Sequence, residues 1–300
     1  MHKLRKRSLL LLAIAAALPV AAMAAPECKH SEPRQLAFNT AGVKAVTFDV
    51  RQNTLKLVGV AGSAGSLKGR ACASAPELLK QLEISQERSG DTLIVHLRNT
   101  QDIKFSLFGT GSRYAYLDLA GSVPAGIPVR VDVGSGDLDA TGLAALDARV
   151  GSGDVAARRI AGAVSATVGS GDVALSDVGS LNLPSLGSGD LKAQNIRGGA
   201  VIGSIGSGDV DLRGIGGAVK VGSIGSGDLD IDGARGGVSI GSVGSGDATV
   251  RNTIGNVSVA SLSSGDIDVA GVKGNLSVGS RGSGNIDHSG VTGSVTVPRR

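Results

Sequence analysis

The side chains best placed to do chemistry belong to a recurring tetrapeptide. From Val133 onward Gly-Ser-Gly-Asp, or a close variant, returns nine times and ends at Asp137, Asp154, Asp172, Asp190, Asp209, Asp228, Asp247, Asp266 and Asn285. The steps are 17, 18, 18 and then 19 five times. Acids at a fixed spacing can cap turns by accepting backbone amide hydrogen bonds, as Asx turns do. They can also gather a hard cation, because calcium takes six to eight oxygen ligands. Four copies strengthen the second option by reading Asp-apolar-Asp: Asp137/Asp139, Asp209/Asp211, Asp228/Asp230 and Asp266/Asp268. Acids at only one corner per repeat weaken it, so structural capping is the first reading. A calcium column through Asp137, Asp209, Asp228 and Asp266 is the alternative, as in a calcium-binding β-roll. A third chemistry, acid–base cleavage of a glycan, needs clustered carboxylates. Most of these acids instead keep the repeat register, no glutamate follows Glu87, and His288 is the only histidine in the repeat region. No catalytic residue and no cofactor are expected.

The elements that position this column follow from the residues between its copies. Counted from Asp209, the apolar positions are Val210, Leu212, Ile215, Val219, Val221 and Ile224. From Asp228 they are Leu229, Ile231, Ala234, Val238, Ile240 and Val243. Pairs two apart are strand alternation, and the apolar residue three further on marks a corner. Each repeat is therefore one coil of two short strands and two turns. The expected fold is all-β, a parallel β-solenoid of about nine coils of 17–19 residues. The second glycine of the tetrapeptide, Gly136 through Gly284, is present in every copy, which makes it the candidate for a positive φ.

Composition agrees. The 300 residues include 47 glycines and no tryptophan, and 41% of the chain is apolar, which excludes both collagen and intrinsic disorder. All six aromatics lie between Phe38 and Tyr116, before the repeats. Residues 1–24 combine Lys3, Arg5, Lys6 and Arg7 with an apolar run and Ala22-Met23-Ala24, the pattern of a secretory signal peptide cleaved after Ala24. That run is too short to span a membrane. Removing it takes four basic residues and no acid, so the net charge falls from +4 to zero and a nucleic-acid reading loses its support. In an oxidising compartment Cys28 and Cys72 pair most simply as a disulfide. A periplasmic or secreted location follows.

Residues 25–132 read as strands at 43–50, 54–60, 93–97, 103–108, 114–119 and 129–133, with a short helix at 76–82 opened by Pro76. This β-rich segment is either an N-terminal cap on the 133–300 solenoid or its opening coils. Within it the chain resembles a known family. The run Leu117-Asp118-Leu119, then Val123-Pro124-Ala125-Gly126-Ile127-Pro128-Val129 and on to Gly134-Ser135-Gly136-Asp137, is similar to bacterial adhesin β-solenoid domains of unknown function, relatives of the auto-transporter adhesin head (GIN) domains. The resemblance covers roughly residues 36–297. It implies an extracytoplasmic, non-enzymatic solenoid acting as a binding or structural module, and it brings no catalytic motif. The expected partners are an envelope protein or a polysaccharide, with end-to-end or edge self-association a further possibility. Neither nucleic acid nor a membrane span after signal cleavage is expected. The sequence ends Val297-Pro298-Arg299-Arg300, with no translocator barrel, sorting signal or lipid anchor, so surface display by its own means is not expected.

Overall fold

The computed structural model describes residues 28–99 and 113–299. The signal-peptide reading and the strand expected at 103–108 lie outside them. Two sheets, each of 13 strands, face one another along the described chain. Every coil contributes one strand to each. The coil after Asp209 places Val210–Ile215 in the first sheet and Val219–Ile224 in the second. Its neighbours pair with it in parallel and in register: Val210 opposes Leu229, Leu212 opposes Ile231 and Ile215 opposes Ala234. All six apolar positions read from the sequence point inward, each at most 4% exposed. Identical positions stack from coil to coil, so a narrow core is filled by columns of Val, Ile, Leu and Ala, whose branched side chains suit the pleated surface.

The three-residue step at the corner has a specific cause. The fifth residue after each Asp adopts a positive φ: Gly142, Arg159, Asp177, Asn195, Gly214, Gly233, Asn252, Gly271 and Gly290, between 53° and 81°. Gly, Asn and Asp tolerate this conformation best, and they hold eight of the nine places. The tetrapeptide glycines do not share it. None of Gly136 through Gly284 has a positive φ, contrary to the sequence expectation. They are required by close packing. A β-carbon on Gly208 would run into the carbonyl oxygen of Gly189 one coil below and stand 2.8 Å from its carbon. The same overlap recurs up the column.

The N-terminal third continues both sheets. It comprises β1 (His30–Asn39), β2 (Ala45–Arg51), β3 (Thr54–Val60), β4 (Ala64–Ala73), α1 (Pro76–Leu79), β5 (Leu82–Ser89), β6 (Thr92–Asn99), β7 (Ala115–Pro124), β8 (Val129–Val133) and β9 (Asp137–Thr141). β2 and β3 form a coil that stacks in parallel on β8 and β9. β6 and β7 lie beneath β2 and β3, also in parallel. The chain thus passes over a coil it has already laid down when it runs from β7 into β8. Beyond β7 and β6 the pairing turns antiparallel: β4 on β7, β1 on β4, and β5 on β6. The helix is shorter than expected. It stops at Leu79, and Leu82 is already the buried first residue of β5.

Cys28 and Cys72 form the expected disulfide, with Cα atoms 5.5 Å apart, and tie the start of the described chain to β4. Phe38 and Phe48 meet edge to face at 6.4 Å in the wider core of this end. Asn53 holds three strands together. It is fully buried, its amide donates to the carbonyls of Val50 (2.9 Å) and Leu97 (3.0 Å), and its Oδ1 accepts from the Leu117 N–H (2.7 Å). It occupies the corner where later coils carry the second glycine, as the bond from the Asp137 N–H to the Asn53 carbonyl shows.

Candidate functional site

The repeated aspartates do form a column, built differently from an Asx turn. Each Oδ1 accepts a hydrogen bond from the backbone N–H of the equivalent Asp in the next coil, not from an amide two residues on. The donors run Asp154 to Asp137 (3.3 Å), Asp172 to Asp154 (3.2 Å), Asp190 to Asp172 (2.9 Å), Asp209 to Asp190 (3.0 Å) and Asp228 to Asp209 (2.9 Å). Asp247, Asp266 and Asn285 continue it at 2.9, 2.8 and 2.7 Å. A carboxylate accepting an amide hydrogen bond makes a stronger contact than a neutral acceptor. The ladder offsets the repulsion of like charges stacked about 4.8 Å apart, roughly 1 kcal/mol per neighbouring pair in water. The opposite corner uses the same device without charge: the Asn275 N–H donates to Asn256 Oδ1, and the Ser294 N–H to Asn275 Oδ1, both at 2.9 Å.

Of the four aspartates named for a cation, Asp209 and Asp228 are neighbours in this ladder. Asp137 and Asp266 stand further along it. Their Asp-apolar-Asp partners point out of the first sheet and are met by arginines. Arg213 grips Asp211 through two bonds of 3.0 and 2.9 Å, which raises the guanidinium pKa above its ordinary value. Arg251 lies between Asp230 (3.4 Å) and Asp268 (3.6 Å), and Arg158 reaches Asp139 at 3.7 Å. One oxygen of each column carboxylate is already spent on an amide, and among the described residues no three His, Cys, Asp or Glu side chains converge on a point.

His288 sits at the inward +3 position of the last coil, opposite Val269, and is exposed. Sequence reasoning overlooked His96, which also belongs to a coil. Its Nδ1 lies 3.5 Å from Asp49 Oδ2 and its Nε2 3.3 Å from Glu87 Oε1, with the side chain 15% exposed. The parallel register of β2 and β6 brings Asp49 and His96 together, a pairing no local pattern encodes. A depression of about 420 Å³ beside them is lined by Asp49, Arg51, Asp132 and Arg149 and not by His96.

The larger feature is a groove of about 600 Å³ on the outer face of the first sheet. Asp137, Asp154, Asp172 and Asp190 edge it, Ala156 and Ala174 form its floor, and Lys56 and Lys192 stand at its two ends. It exists because the second residue after the column Asp, elsewhere Asp, Lys or Thr, is alanine in two consecutive coils.

No family model matches this chain, and no curated protein matches it. Solved structures do. One, named "putative lipid binding protein", from Parabacteroides distasonis, is 16% identical over 90% of this chain and 98% of its own, with a TM-score of 0.45. A "putative adhesin" from Parabacteroides merdae is 12% identical over 87% and 97%, with a TM-score of 0.42. Another from P. distasonis is 13% identical over 88% and 97%, with a TM-score of 0.39. Among the described residues no helix is long and apolar enough to cross a membrane.

Proposed function

We propose that the chain is an extracytoplasmic, non-enzymatic, adhesin-like binding module that presents the outer face of its first sheet to an extended ligand, an envelope polysaccharide or protein. The carrying observation is the engagement of the acids. The column carboxylates spend their Oδ1 atoms on the inter-coil ladder, Arg213 holds Asp211, and arginines stand 3.4–3.7 Å from the other outward aspartates, Asp139, Asp230 and Asp268. Groups so committed build a surface and are poorly disposed to transfer protons. The groove lies along this surface and crosses several coils, as an elongated ligand requires. The Cys28–Cys72 disulfide supports an oxidising compartment.

The test immobilises residues 25–300 and incubates them with envelope extract, with and without calcium, while reducing-end formation is followed in solution. Retention of a glycan or protein ligand in both conditions, with no new reducing ends, is expected. Glycan cleavage would overturn the non-enzymatic reading, and retention only with calcium would restore the cation alternative.

A further inference from the structure

A second depression, of about 350 Å³, opens from the same alanine floor on the side away from the aspartate column. Four consecutive coils stack their outward residues there in register: Arg158, Ser176, Gln194 and Arg213 in one row, and Ala156, Ala174, Lys192 and Asp211 in the row beside it. Arg158, Lys192 and Arg213 all line the cavity, against one acid, Asp211, which Arg213 holds. Lys192 makes no ion pair or side-chain hydrogen bond among the described residues. Arg158 has only the 3.7 Å approach to Asp139. Three cations therefore face a hollow that two missing side chains have opened, with a hydroxyl and an amide between them.

We propose that this hollow seats an acidic polysaccharide, with its carboxylate or sulfate groups on Arg158, Lys192 and Arg213 and its hydroxyls on Ser176 and Gln194. The row sets two cations, Arg158 and Arg213, three strand spacings or about 14 Å apart, with the neutral hydrogen-bonding groups of Ser176 and Gln194 between them. A glycan carrying anionic groups among hydroxyls has that pattern. An acidic peptide is the weaker fit, because extended peptides bind by adding main-chain hydrogen bonds to a free sheet edge. The strands under this hollow, Val155–Arg158, Val173–Val178, Leu191–Ile196 and Val210–Ile215, are paired on both sides. The inference rests on the binding-module reading and names its ligand class.

The experiment titrates residues 25–300 with polygalacturonate, dextran sulfate, neutral dextran and poly-L-glutamate, at low and high salt. Binding to the two acidic glycans, weakened by salt, and none to dextran are expected. R158Q, K192Q and R213Q each lower affinity about three- to fivefold, as exposed charge contacts do, and the triple variant at least about tenfold. The pair R130Q/R149Q, on the opposite sheet, removes the same kind of charge and leaves binding within about twofold, which excludes bulk charge as the cause. Failure of the wild type to bind either acidic glycan, an unaffected triple variant, or tighter binding of poly-L-glutamate overturns the proposal. A triple variant that still retains its envelope ligand sinks this site and leaves the binding-module reading intact.

Discussion

Gly208 and Gly214 occupy two columns of this solenoid for opposite reasons, and four substitutions separate them. At Gly208 an added β-carbon meets the Gly189 carbonyl, 2.8 Å from its carbon, where ordinary contact between non-bonded carbons begins at about 3.5 Å. Relief requires the two coils to part locally by about 0.7 Å or more. Three bonds cross that seam: the Ser207 and Gly208 N–H groups to the Gly187 carbonyl, at 2.8 and 3.2 Å, and the Asp209 N–H to Asp190 Oδ1, at 3.0 Å. Lengthened by that amount all three reach or pass the limit of a useful hydrogen bond. At about 1 kcal/mol each, G208A costs about 3 kcal/mol, and about 2 °C of Tm per kcal/mol in a chain of this size gives a fall of about 6 °C.

At Gly214, by contrast, φ is +66° and the added β-carbon lies 3.5 Å from its nearest neighbour, Asn195 Oδ1. G214A therefore costs about 1–2 kcal/mol of left-handed strain and no collision. Asparagine discriminates, since it tolerates a positive φ and is larger than alanine. G214N is expected to be milder than G214A, and G208N at least as harmful as G208A. The assay is thermal and urea unfolding followed by far-UV circular dichroism, with amide exchange at Leu191 and Ser207, whose N–H groups bond across this seam to Asp209 and Gly187, reporting it locally. A G208N protein more stable than G208A would show that conformation rather than packing demands that glycine, and the coil-contact argument would fail.

Two further outcomes follow from the polar structure. In D228N the amide oxygen still accepts the Asp247 N–H, and repulsion from Asp209 and Asp247 is gone. Its stability should equal or exceed wild type at low salt, with the difference shrinking in 1 M salt, while D228A loses about 1 kcal/mol at both. Equal damage from both variants would mean the charge itself is needed, as a bound cation would require. N53A strands the buried Leu97 carbonyl and the Leu117 amide and leaves the Val50 carbonyl only the backbone N–H of residue 53, and is expected to cost about 2–3 kcal/mol in urea unfolding. A loss below about 1 kcal/mol would count against Asn53 as the tie between these coils.

The solenoid was legible because its information is local and repeated. Val210, Leu212 and Ile215 face the core in one coil, and their equivalents do so in the coils on either side, so a period visible in one dimension maps directly onto stacking in three. The corner was half legible. Gly, Asn and Asp recur five residues after the column Asp, a signal for positive φ that lay in plain view. An invariant glycine drew the assignment to the wrong position, because sequence does not distinguish a glycine needed for its backbone angle from one needed for its missing side chain. The N-terminal third was least legible. β1 carries Glu32, Pro33, Arg34 and Gln35 without a clean apolar period, and among the described residues its one sheet partner is β4, in an antiparallel pairing set by tertiary contact. The step from β7 over the β2–β3 coil into β8 has no local signature at all.

Function in such a molecule is written where the repeat departs from itself. A column kept by packing is filled inside every coil: Val155, Val173, Leu191 and Val210 are equivalents, all buried. Outward positions are free of that constraint, and changes there are cheap in stability, usually within about 0.5 kcal/mol. The row Asp139, Ala156, Ala174, Lys192, Asp211 is such a position, and its two alanines turn a flat charged face into a hollow bordered by arginines. Refilling it is the complementary experiment to removing its charges. A156K/A174K closes the hollow while adding positive charge. A ligand drawn only by net charge would then bind more tightly, whereas a ligand seated on the alanine floor would bind less.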